Sequence, residues 1–218
     1  MRIIMLIKIC GLTKVTEADY LNANHVDFAG FVLFFPKSKR NITIEQAKEI
    51  MAHLNATIKK VAVVVKPDLA QIQQIEAAGF DYIQIHSDIA PTLLEQIQLP
   101  ILKAFNVNDI DTIDRYRSLK NVAGYVFDAQ KPGSGKPFDW SLLSDIPRDN
   151  KLFILAGGIS ADNVRNAIQT LLPDGIDVSS SVEYKDNNKA GKDPKRIKEF
   201  VHIVRTRTKQ SSQFTFYK

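Results

Sequence analysis

The sequence has one cysteine, one tryptophan and four histidines among 218 residues. A single thiol excludes an internal disulfide and any multi-cysteine metal site. The lack of disulfides fits a reducing compartment, so the expected location is the cytoplasm. No stretch approaches the roughly 18 apolar residues that a membrane span needs. The apolar run at 1–10 is short, Lys8 interrupts it, and no small-residue cleavage site follows. It reads as a strand rather than a signal peptide. No Pro- or Ser-rich linker divides the chain, which argues for one domain. No basic run flanked by aromatics and no nucleic-acid motif occurs, so a nucleic-acid partner is not expected. No heptad is sustained, and the oligomeric state stays open.

What is present is a core-forming composition: 44% apolar and 24% charged residues, with 29 basic against 24 acidic side chains. The net charge of +5 is modest and favours anionic metabolites. Short β-branched runs at 3–9, 28–35, 61–65, 82–86, 100–105, 123–128, 152–156 and 176–179 alternate with amphipathic stretches. Thr16 with Asp19, Thr43 with Gln46, Asp68 and Ser160 stand where helix N-caps belong. Gly79 stops the third helix, and Asp193 with Pro194 opens the last, which runs to about 207. Shorter helices are expected at 91–97, 109–119 and 140–143. Repeated strand–helix units imply a parallel sheet, either open and doubly wound or closed. The short, even repeat favours a closed (β/α)₈ barrel over 1–207, with 208–218 as a flexible tail.

In such a barrel the active site gathers at the C-terminal strand ends. There stand Cys10, Arg40, His86, Asp128, Gly157, Gly158 and Ser179 to Ser181. Strand alternation puts Lys8 one layer below Cys10, and Gln84 on the face of His86. The Gly157–Gly158 pair makes either a tight turn or a phosphate cradle, and the serines of the next strand end favour the cradle. Cys10 alone is either a small buried hydrophobe or a reactive thiol, which Lys8 could help to ionise. Asp128 is a salt-bridge partner, a turn residue, or a general acid kept protonated by apolar neighbours.

The segments KICGLT, GFVLFFPKSKRNI, VAVVV, IQIHSD, GSGKPFDW, LAGGISADNV and DVSSSVE followed by GKD resemble the phosphoribosylanthranilate isomerase family of tryptophan biosynthesis. They keep that family's order and spacing from Lys8 to about Phe200. The resemblance implies an Amadori rearrangement of a phosphorylated sugar substrate with no metal or organic cofactor. It assigns the general base to Cys10 and the general acid to Asp128. It matches Arg40 to an arginine that meets the anthranilate carboxylate. Gln84, His86 and Lys8 are expected to contact substrate, and Gly157, Gly158, Ser180 and Ser181 to hold its phosphate.

Three departures stand out. Ser87 and Ser181 occupy positions where the family usually has glycine, and the loop before GSGK is shorter than usual. If Ser181 needed a positive φ, its Cβ would narrow the phosphate loop. The rivals are a phosphosugar barrel isomerase of broader specificity and a non-catalytic paralogue that binds phosphometabolites.

Overall fold

An apolar run such as KKVAVVV makes a strand only where both of its faces are covered, and here a barrel interior covers one face and helices the other. The structure, a computed structural model, describes residues 5–106, 108–129, 139–186 and 188–210. The strands are β1 (Leu6–Cys10), β2 (Phe28–Leu33), β3 (Asn41–Ile42), β4 (Lys59–Val65), β5 (Tyr82–His86), β6 (Ile101–Asn106), β7 (Val122–Asp128), β8 (Leu152–Leu155) and β9 (Gly175–Val178). All pair in parallel, and β1 pairs with both β2 and β9. Those two pairings close eight strands into a ring, with β3 attached outside it on β2. The fold is the expected (β/α)₈ barrel and not the open sheet.

The period of two sorts the side chains. Phe28, Val61, Val63, Leu102, Ala104, Val126 and Ile154 fill the barrel. Their neighbours Ala62, Val64, Ile83, Phe105 and Phe127 face the helices. These are α1 (Thr16–Ala23), α2 (Ile44–Met51), α3 (Leu69–Ala77), α4 (Pro91–Leu94), α5 (Asp114–Arg117), α6 (Val164–Leu171) and α7 (Pro194–Gln210). The barrel is economical because several connections are cut to one turn. Both α4 and α5 have four residues, and a 3₁₀ turn at Trp140–Leu143 serves between β7 and β8. The helix expected over 109–119 is split, as Thr112 Oγ1 donates to the Asp109 carbonyl and tightens the first turn into 3₁₀.

The Thr43–Gln46 capping box and the Asp68 cap form as expected, Gln71 completes a second box with Asp68, and Gly79 takes φ +86° after α3. Thr16 does not cap α1. α1 has no side-chain cap, and the fully buried Glu17 instead ties down the turn before it: its Oε2 accepts from the Thr13 and Lys14 amides, and its Oε1 from the Lys192 amide. Ser160 does not cap α6 either. The helix starts later, at Val164, and Asn163 holds the intervening turn by accepting from the Ser160 amide and donating to the Gly158 carbonyl. The last helix continues to Gln210, past its expected end at 207. Residues 211–218 of the expected tail lie outside the described residues, as do 130–138 with the GSGK motif.

The two glycine-to-serine departures have different consequences. Ser181 sits in a 3₁₀ turn, and its φ is not positive, so its Cβ brings no backbone strain. Ser87 has φ +147°, a region that side chains disfavour. Its hydroxyl accepts from the Lys66 amide at 3.1 Å. At an ordinary site Gly→Ala stabilises by about 0.4–1 kcal/mol. Here the order should invert: Ser87→Gly should be more stable than Ser87→Ala by about 1 kcal/mol or more. Chemical denaturation of the two variants checks this, and a more stable Ala variant contradicts it.

Candidate active site

Strands ending at one rim bring distant residues together. A single cavity there is lined by Cys10 from β1, Arg40 from the loop after β2, Gln84 and His86 from β5, Asp128 from β7, and Asp177 from β9. Gly157, Gly158, Ser179 and Ser180 line it from the loops after β8 and β9. Glycines make the room. A Cβ at Gly30 would stand 3.0 Å from both Cys10 Sγ and Lys8 Nζ. Gly157 and Gly158 both take left-handed φ, +74° and +70°. A Cβ on Gly157 would strike the Ala129 amide and stand 3.0 Å from Asp128 Oδ1. These two glycines therefore bring the backbone close to the cavity and to the aspartate.

Burial governs the protonation states. It pushes the Asp128 carboxyl up to about 6; the Ala129 amide, 2.7 Å from Oδ1, pulls the other way, and Asp177 adds to the rise. Burial likewise pushes the Cys10 thiol up, against the pull of Lys8 and Lys192. Lys8 pulls toward the thiolate, as its place below Cys10 suggests, but desolvation outweighs that pull. Burial and the Lys8 and Lys103 charges lower His86 to about 3, so its ring is neutral. The Gln84 amide nitrogen lies 2.7 Å from His86 Nε2. With the amide donating, Nε2 accepts and the ring proton sits on Nδ1.

Lys8 does not line the cavity, so its expected substrate contact is corrected. It is 1% exposed, and its ammonium lies 2.8 Å from Asp177 Oδ2, one layer below Cys10. Burial opposes that charge, but Asp177 and Cys10 outweigh it and raise its pKa. Ser181 does not line the cavity either. Its hydroxyl is buried without a partner among the described residues, while Ser179 and Ser180 face the cavity.

Three residues outside the expected set complete the site. Asp177 pairs with Lys8. Glu183 takes Arg40 Nε on Oε1 and Lys39 on Oε2. Buried Lys192 reaches Glu183 and Ser179, both at 3.2 Å. Burial alone would raise Glu183, yet Arg40, Lys192 and Lys39 hold it down at about 2. The loop carrying Arg40 is pinned by Asn41 of β3, whose Oδ1 accepts from the Phe35 amide at 2.7 Å. Motif reading covered Asp177 and Glu183 within DVSSSVE and Lys192 within GKD. The available signal was the period of two, which puts Asp177 on the face of Ser179.

A family model described as N-(5′-phosphoribosyl)anthranilate (PRA) isomerase matches residues 7–203. The N-(5′-phosphoribosyl)anthranilate isomerase of Streptococcus gordonii is 38% identical over 201 residues, covering 91% of this chain and 97% of that protein. That of Listeria welshimeri is 38% identical over 207 residues, covering 92% and 98%. The chain belongs to the N-(5′-phosphoribosyl)anthranilate isomerase family. Among solved members, the Thermotoga maritima enzyme superposes with a TM-score of 0.79 at 32% identity, covering 93% of this chain and 99% of that one. A phosphoribosyl anthranilate isomerase in complex with reduced 1-(o-carboxyphenylamino)-1-deoxyribulose 5-phosphate superposes with 0.78 at 31% identity, with the same coverage. The chain is accordingly an enzyme, an aldose–ketose isomerase of tryptophan biosynthesis. No helix among the described residues is long and apolar enough to cross a membrane.

A family member that holds Asp128 at about 6 keeps a buried carboxylate at neutral pH, a cost the unfolded chain does not bear. The folded state binds the extra proton between the ordinary value of 3.8 and about 6, so stability falls as pH rises through that window. Asp128→Asn should therefore stabilise the protein at pH 7.5, by up to about 3 kcal/mol. The gain should vanish below about pH 4. Denaturation at both pH values checks it; an equal effect at both contradicts it.

Proposed function

We propose that Cys10 is the general base and Asp128 the general acid of an Amadori rearrangement. In it, N-(5′-phosphoribosyl)anthranilate becomes 1-(2-carboxyphenylamino)-1-deoxyribulose 5-phosphate. The observation that carries this reading is a thiol and a carboxyl, from β1 and β7, opening on one cavity, with burial raising the carboxyl to about 6. Such a carboxyl holds a proton much nearer neutrality than an ordinary aspartate.

The residue types suit the chemistry. Asp128 donates its proton to the furanose oxygen as the ring opens to a Schiff base. The positive nitrogen acidifies C2′, and the Cys10 thiolate takes that proton. The resulting enolamine becomes the ketone when C1′ gains a proton and the C2′ hydroxyl loses one. Arg40 holds the anthranilate carboxylate: Glu183 occupies its Nε, and its terminal nitrogens have no partner among the described residues. The left-handed Gly157 and Gly158 with Ser180 receive the phosphate. Gln84 and neutral His86 face the sugar without adding charge. The single free cysteine supports a cytoplasmic setting.

Three measurements test this. Cys10→Ala and Asp128→Ala should each lose about 10²–10⁴-fold in kcat while still binding substrate; full activity in either removes its assignment. With the carboxyl titrating below the thiol, the working form, thiolate with carboxylic acid, is a fixed minor fraction of the singly protonated site. Its kcat/KM should follow a bell with its acid limb near pH 6. The alkaline limb should lie above the ordinary thiol value of about 8.5. An acid limb near pH 4 contradicts the poised carboxyl. A substrate lacking the anthranilate carboxylate should turn over more slowly, and faster turnover would favour the broader isomerase.

A further inference from the structure

One carboxylate of the cavity has an oxygen with nothing to do. Asp177 is 7% exposed and lines the cavity, and Lys8 occupies its Oδ2 at 2.8 Å. Its Oδ1 is buried with no hydrogen-bond partner among the described residues. An unpaired buried acceptor has lost its hydration without compensation, and the loss is larger when the group is charged. A ligand hydroxyl is the group that would satisfy it, because a phosphate or a carboxylate would be repelled.

We propose that Asp177 is a substrate-contact residue whose Oδ1 accepts a hydrogen bond from the sugar hydroxyl on C2′. The position follows from the Cys10 assignment proposed above. Asp177 stands in register with Lys8, directly below the level of Cys10 and Ser179, and Ser179 Oγ donates to the Cys10 carbonyl at 2.8 Å. A base that takes the proton from C2′ meets that carbon, and the acceptor beside it meets the hydroxyl on the same carbon. This contact fixes the C2′–H bond toward the thiol. It also places an acceptor beside the hydroxyl proton that departs when the enolamine becomes the ketone. Lys8 opposes the rise that burial gives this carboxyl and holds Oδ2, which leaves the other oxygen to the cavity.

The test is binding of reduced 1-(o-carboxyphenylamino)-1-deoxyribulose 5-phosphate and of its 2-deoxy counterpart, measured by calorimetry. The wild-type protein should bind the 2-deoxy compound about 10–100-fold more weakly, as for loss of a hydrogen bond to a charged group. Asp177→Ala leaves Lys8 buried without its partner and threatens folding. Lys8→Met/Asp177→Leu removes both charges and carries the test alongside it. In either variant the two compounds should bind within about twofold of each other. A merely structural Asp177 would weaken both compounds equally and leave their ratio intact. An intact ratio in a variant, or no discrimination by the wild type, overturns the proposal. Turnover by Cys10→Ala separates the two readings: full activity there removes the base assignment without altering the binding ratios that judge Asp177.

Discussion

The buried pair of Lys8 and Asp177 is the interaction on which the rest of the site depends. It sits at the seam where the first ring strand meets the last, with the two residues side by side in the β1–β9 register. Each charge has lost its water, at a cost of several kcal/mol per ion, and the other is its chief compensation. A slip of one residue in either strand would turn one member toward the helices and leave its partner unpaired. The pair therefore selects the register that closes the barrel. The same register sets Cys10 and Ser179 one step above it, at the rim.

From that seam the electrostatics of the cavity follow. Below Cys10 lies a charged pair with little net field, and beside it lie Lys192 and Glu183, which are again paired. Charges are abundant but largely balanced, so desolvation decides the protonation of the groups that are not in pairs. It lifts Asp128 and Cys10 and holds His86 neutral. Near neutrality a carboxyl raised to about 6 is largely ionised while the thiol keeps its proton, so the proposed working pair, thiolate with carboxylic acid, is the minor arrangement. In the proposed mechanism the positive Schiff-base nitrogen shifts that balance toward the thiolate at the moment it is required.

Much of this architecture was readable in the residues. Period-two alternation and continuous valine runs located the strands, and the capping box at Thr43 and the cap at Asp68 marked two helix starts. Strand-end position alone points to Cys10, His86, Asp128 and the glycine pair, and all of them line the cavity. The misses share a cause: they depend on partners far away in sequence. Thr16 does not cap α1, and the turn before it is held by Glu17, which also takes the Lys192 amide, 175 residues on. Lys8 looked like a residue for substrate because its partner, Asp177, lies 169 residues away. Ser181 looked like a phosphate ligand because hydroxyl content is visible in a sequence, whereas the 3₁₀ turn that directs it elsewhere is not.

The central claim is that Cys10 rests as a thiol and becomes a base only with substrate bound. Because the chain has one cysteine, its thiolate absorbance can be titrated without interference from a second thiol. The account predicts a midpoint above the ordinary value of about 8.5 in the free protein. A thiol already ionised at pH 7 in the absence of substrate would contradict it.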